Sequence, residues 1–204
     1  LRPAGKEIPV ATDYPVTFDV VARPEKFQRP QVVIAILVAI VLGVVMWLAY
    51  LAFPIIAAIS ISQKGSEKYL DEDGPKMTGW LRSIVSYYAY VFFLIDRLPS
   101  EGVEEQVKFE VQRGGSPTVG TALLRWIYSI PSAIVVGVLG AVSEVLWVIA
   151  AIMVLVQENY PDGIYDFQRG VVRWEARLLA YHASLVEPYP PFSLDTGPEQ
   201  MPLG

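Results

Sequence analysis

The stretches "PVTFDV" (15–20) and "QVKFEV" (106–111) carry one alternation, with Val16, Phe18 and Val20 matched 91 residues later by Val107, Phe109 and Val111. Thr17, Asp19, Lys108 and Glu110 fall on the other side of a period of two, the pattern of a half-buried β-strand. Each copy stands before a long apolar segment. At the same spacing Gly79 aligns with Gly170, Arg82 with Arg173, Ala89 with Ala180, Tyr90 with Tyr181, Leu94 with Leu185, Asp96 with Glu187 and Pro99 with Pro190. The chain therefore reads as two tandem units, 15–100 and 101–187, between an extended arm (1–14) and a proline-rich tail (188–204).

Composition assigns the class. With 53% hydrophobic and 18% charged residues and a mean hydropathy of +0.39, the chain is too apolar for an ordinary soluble domain. No residue from Gln31 to Gln63 is charged, a run well beyond the roughly 20 apolar residues that cross a bilayer. Such a run must tilt, kink near Pro54 or fold back as a hairpin. Between Arg125 and Glu158 the only charge is Glu144, which gives a second membrane segment. Residues 64–79 read as a mixed-charge loop, 80–96 as a membrane-associated helix and 170–186 as an amphipathic surface helix. The expected fold is mainly α: a helical integral membrane protein with a small two-stranded sheet. The two strands each leave a backbone edge open, so they are expected to pair on one face of the membrane. That requires an even number of crossings in each unit.

The net charge of -5 and the scattered Lys and Arg residues point away from nucleic acid. Without cysteine there is no disulfide, thiolate metal site or thiol nucleophile. Glu144 is the ionisable residue inside a membrane segment, a position that raises an ion or proton path. It stands almost midway between Trp126 and Gln157, where a hairpin bend at the far surface would place it, and that is the preferred reading. His182, the sole histidine, could give one axial ligand to a haem or chlorin; it is read instead as a surface or interface histidine. In "ENYPDGIYDF", Glu158, Asp162 and Asp166 could serve acid–base chemistry or hold a divalent ion. The preferred reading there is a turn, with Asp166 capping the following helix. Aromatic residues near the apolar segments read as an interfacial belt.

"RWIYSIPSAIVV", "ENYPDGIYDFQRGVVRWEARLLAY" and "YPPFSL" resemble a bacterial membrane family known only as a domain of unknown function (four-three-eight-nine). Its pattern sets Ile-Pro before a hydrophobic segment, a Tyr-Pro and Asp-Phe pair after it, then Arg-Trp, then Tyr-Pro-Pro-Phe. The resemblance covers 106–194 well, whereas the first unit has "GSEKYLDEDGPKMTG" in place of the Tyr-Pro signature and looks like a diverged copy. It implies a fold and a bacterial membrane location, and it supplies no activity.

These readings lead to a multi-pass protein of the bacterial cytoplasmic membrane with no enzyme activity and no cofactor, contacting lipid and other integral membrane subunits. The expected role is an accessory or scaffolding subunit of a larger complex of respiratory or photosynthetic type. The alternatives are a small channel or transporter with Glu144 in its path, or a protein that handles lipids or other amphiphiles. The arms 1–14 and 188–204 are expected to be docking straps, with Tyr14, Tyr189 and Phe192 as anchors to a partner. Deleting 188–204 should then leave the membrane core folded.

Overall fold

The computed structural model describes residues 14–99 and 106–195. Strands β1 (Val16–Val20) and β2 (Val107–Val111) pair antiparallel, with Phe18 opposite Phe109. Bonds from Gln112 N to Pro15 O at 2.8 Å and from Val21 N to Gln106 O at 2.9 Å close the two ends of the ladder. Alternation between these bonded ends turns the Phe18 and Phe109 carbonyls outward, to the open edge of each strand. An arginine meets each one. Arg173 Nε donates to Phe18 O at 2.9 Å and an Arg82 guanidinium nitrogen donates to Phe109 O at 3.2 Å. Val16, Phe18, Val107 and Phe109 are buried, while Lys108 and Glu110 are exposed.

The first apolar segment is one helix, α1 (Arg29–Lys64), running on through Pro54. No Gly, Asn or Asp stands beside that proline, and an apolar run has no better way than a helix to satisfy its backbone groups. Gly65 (φ 84°) ends the helix. The segment read as a loop is helical instead: a short turn α2 (Ser66–Lys68), a π turn (Tyr69–Asp73) and α3 (Gly74–Val91) follow almost without a break. Lys64 explains the compact turn, since its ammonium reaches Glu72 at 3.1 Å and Asp73 at 3.0 Å. The second apolar segment is divided at Ser129 into α4 (Val119–Tyr128) and α5 (Ile130–Gln157). Pro131 suits the first turn of a new helix, where no backbone donor is needed. The closing helix α6 begins at Asp162 and ends at His182, earlier at its start than the sequence reading.

The helices and the sheet form three layers. Along α6, at about 100° per residue, Arg169, Arg173 and Arg177 share one face, and Arg173 meets the sheet. Gln168, Glu175 and His182 share the opposite face, where Gln168 bonds Ser143 of α5 and Glu175 bonds Tyr50 of α1. The third helix is oriented likewise, with Arg82 toward the sheet and Ile84 and Tyr87 beside α1. The order is therefore sheet, then α3 with α6, then α1 with α4 and α5. The outer surface of the third layer is apolar: Leu37, Val44, Trp47, Ile134, Val145 and Val156 are among its exposed side chains.

Two sequence readings are corrected here. Helix α6 is enclosed rather than lying on the surface, with Arg173 and Arg177 each 1% exposed, because sheet, α3, α5 and tail cover its circumference. The described part of the tail is packed on the chain itself. Tyr189 stacks edge-on to Tyr181, Phe192 meets Trp174, and the Asp195 carboxylate accepts from Arg177 at 2.7 Å. Gly170 leaves room for it, since a Cβ there would approach Leu194 Cδ1 to 3.0 Å.

Candidate functional site

Besides the arginines of α6 that face the sheet and the tail, buried polar groups gather at the ends of α3 and α6, and between α6 and the apolar layer. Phe93 (φ 54°) and Ser184 (φ 56°) follow the ends of α3 and α6 in the left-handed region, which costs a non-glycine residue roughly 1–2 kcal/mol. The turns are closed alike, by Leu94 N to Ala89 O at 2.8 Å and by Leu185 N to Ala180 O at 3.1 Å. A tyrosine reaches each turn from the other half of the chain. Tyr160 donates to Phe92 O at 3.1 Å, and Tyr69, 91 positions earlier, donates to Ala183 O. A buried side chain at the start of each apolar segment adds to the clamp. Gln31 donates to Ile95 O at 2.8 Å, and Arg125 donates to Val186 O at 2.7 Å and to Tyr181 O. The left-handed turns are thus each held by donors that would lose buried partners if the turn relaxed.

Between α6 and the apolar layer, the Tyr50 hydroxyl donates to Glu175 at 2.6 Å, and its ring stands edge-on to His182 at 4.9 Å. Trp126 Nε1 donates to Tyr50 O at 2.9 Å, and Gln168 Nε2 donates to Ser143 O at 2.9 Å. Burial raises the Glu175 carboxyl above its ordinary range, opposed by the Tyr50 hydrogen bond. Burial lowers His182 to about 4, with the Tyr50 carbonyl nearby acting in the other direction. Neither His182 ring nitrogen makes a well-formed hydrogen bond among the described residues. The phenol of Tyr50 thus meets both the acid and the imidazole.

This burial has a pH consequence. The unfolded chain takes up a proton on His182 near pH 6.5, the folded one only near 4, so stability is whole above about 6.5 and declines as pH falls toward 4. The loss is on the order of 3 kcal/mol. His182→Leu is expected to remove that decline. Chemical denaturation of both proteins at pH 7.5 and 4.5 checks it: the difference between them should grow on acidification.

The sequence-read candidates do not converge. Glu144 is exposed within the uninterrupted α5, so no bend marks it; neighbouring Gly140 and Ser143 simply continue the helix. His182 is 3% exposed rather than at a surface, because Tyr50 of α1 covers its ring. Asp162 pairs with Arg23, Glu158 lies 3.5 Å from Arg29, and Asp166 pairs with Arg169 at 2.9 Å. Helix α6 starts before Asp166, with Pro161 at its N-cap, so Asp166 does not cap it. No cluster of three metal-ligating side chains occurs among the described residues. The Tyr14 hydroxyl donates to Pro188 O at 3.1 Å, and the Tyr189 hydroxyl meets Ser132 Oγ at 2.6 Å. Both hydroxyls thus bond within the chain itself. Phe192 remains 57% exposed. The rest of the proposed first strap, 1–13, lies outside the described residues.

Gln31, Tyr69, Arg125 and Glu175 were not singled out by sequence, and Tyr50 and Tyr160, read there as part of the interfacial belt, instead bond inside the fold. Tyr69 and Tyr160 had a readable signal, the constant spacing of 91. The others depend on which helix lies opposite. No curated protein and no solved structure matches the chain. Over residues 120–193, from α4 through the packed tail, the chain matches the family model described as a domain of unknown function (DUF4389).

Proposed function

We propose that this chain is a non-catalytic, membrane-held accessory subunit built of two tandem units, docking against other integral membrane proteins of a bacterial cytoplasmic membrane. The observation that carries the reading is a difference between corresponding grooves. Between α5 and α6, Val136, Trp174 and Leu178 form a cluster capped by Leu194 of the tail. The residues 91 positions earlier, Val45, Ser83 and Tyr87, line an open apolar groove of about 530 Å³ between α1 and α3, together with Val41 and Leu42. Ser83 stands where the other half has an indole, and no tail segment of this chain is seated there among the described residues. An extended partner segment carrying aromatic and aliphatic anchors, like the Tyr-Pro-Pro-Phe-Ser-Leu of the tail, fits that space.

Buried Arg125 and Arg173 support a scaffold, because they hold a turn and a strand edge. Glu144 faces outward from α5, which lends no support to a path through the chain. The test is purification in mild detergent with identification of the subunits that accompany the chain. Val41→Trp, at an exposed position, should fill the groove and lower partner recovery about tenfold, roughly 1.4 kcal/mol of binding. Equal recovery would count against the groove as the docking place.

A further inference from the structure

Resting on the membrane-held reading above, we infer that α1, α4 and α5 lie flat within one leaflet of the bilayer, with the sheet and the α3/α6 layer on its aqueous side. The multi-pass arrangement expected from the sequence would instead set α1 and α5 along the bilayer normal. The position of the sheet decides between the two. Phe18 O is held by Arg173, near the middle of α6 (Asp162–His182), and Phe109 O by Arg82, near the middle of α3 (Gly74–Val91). The third layer is level with them: Val41, Leu42 and Val45, close to the middle of α1, line one groove with Ser83 and Ile84. Helices along the normal would therefore carry the exposed Lys108 and Glu110 to the depth of the bilayer centre. Charge there is costly, by about 3 kcal/mol or more per residue. The open strand edges would add backbone groups that hydrocarbon cannot satisfy.

Length points the same way. The uncharged run 31–63 is about 50 Å long as a helix. Fitting it into a core of about 30 Å needs a tilt of more than about 50°, beyond the roughly 0–40° seen for spanning helices. Lying flat removes the length limit. A helix is about 10–12 Å thick and one leaflet's hydrocarbon about 15 Å, half of the core, so a single layer of helices fits inside it. The direction from the sheet through α3 and α6 to the apolar layer then becomes the membrane normal, and both halves of the chain meet the leaflet alike.

Because the chain has no cysteine, single cysteines can be placed without background. Val33, Val44 and Ile55 share one exposed face of α1, and a spin label at each, in phosphatidylcholine–phosphatidylglycerol vesicles, reports depth through oxygen and nickel-chelate accessibility. Flat seating predicts equal depth at the three sites. It also predicts that a membrane-impermeant maleimide labels Lys26→Cys, Gln63→Cys and Lys108→Cys from one side. A maximum depth at Val44, with Lys26→Cys and Gln63→Cys labelled from opposite sides, would overturn flat seating and leave the membrane-held reading intact. Failure of the protein to float with vesicles would overturn both.

Discussion

A chain ending at Glu187 is expected to lose about 5 kcal/mol of stability, enough to unfold a domain whose whole margin is typically about 5–15 kcal/mol. Arg177 is 1% exposed and bonded to Asp195, and Arg173, equally buried, donates to the Asp195 backbone carbonyl. Removing one partner of a buried charge pair costs about 3–5 kcal/mol, because the remaining charge keeps its desolvation cost without the compensating contact. Truncation also uncovers Trp174 and takes Tyr189 from Ser132, adding about 1–2 kcal/mol of apolar exposure and lost hydrogen bonding. Thermal unfolding of the purified truncated chain in detergent measures the effect. Asp195→Ala separates the charge contribution from the packing contribution. A truncated protein as stable as the full chain would restore the view that the tail is held only by a partner.

Arg173→Met should cost about 3–5 kcal/mol, and Arg82→Met about 1 kcal/mol, although the two arginines occupy matching positions. Each caps the central outward carbonyl of a strand. Arg173 does so while 1% exposed, with Asp19 at 3.6 Å as a further partner, so its loss leaves a buried carbonyl and a buried carboxylate short of donors. Arg82 is only partly buried at its bond, and water can replace it. Denaturant midpoints of the two variants beside the wild type give the comparison. Hydrogen exchange at the ladder amide of Asp19 locates it, with faster exchange expected for Arg173→Met alone. Equal midpoints would mean that the edge carbonyls contribute little to holding the sheet.

Much of this architecture was written locally. The period of two in 15–20 and 106–111 determined two half-buried strands, since alternate side chains of an extended chain must face opposite sides. The uncharged run 31–63 determined helix, because an apolar segment has no other way to satisfy its backbone, but that it runs as one helix through Pro54 and does not fold back came from the structure. The spacing of 91 aligned Arg82 with Arg173 before their shared role was visible. Pairing of the strands followed from their open edges. The ends of helices were less legible: Lys64 folds the charged segment after α1 by reaching across a turn, a contact that depends on distance in space and not on local pattern.

Tertiary structure alone decided where the polar groups go. No periodicity distinguishes the enclosed face of α6 from an exposed amphipathic one, because burial depends on the sheet, α5 and the tail arriving from distant parts of the chain. His182 is covered because the Tyr50 ring stands against it, burial holds its pKa down, and Tyr50 comes from a helix whose own sequence is apolar on every side. The tail looked like a strap for a partner because prolines prevent it from forming a helix or strand of its own. It packs on α6 because Gly170 leaves room for Leu194 and two buried arginines require the Asp195 carboxylate and carbonyl. The depth of the sheet, midway along α3 and α6, is likewise a property of the assembled layers, and it is the observation behind the proposed seating in one leaflet.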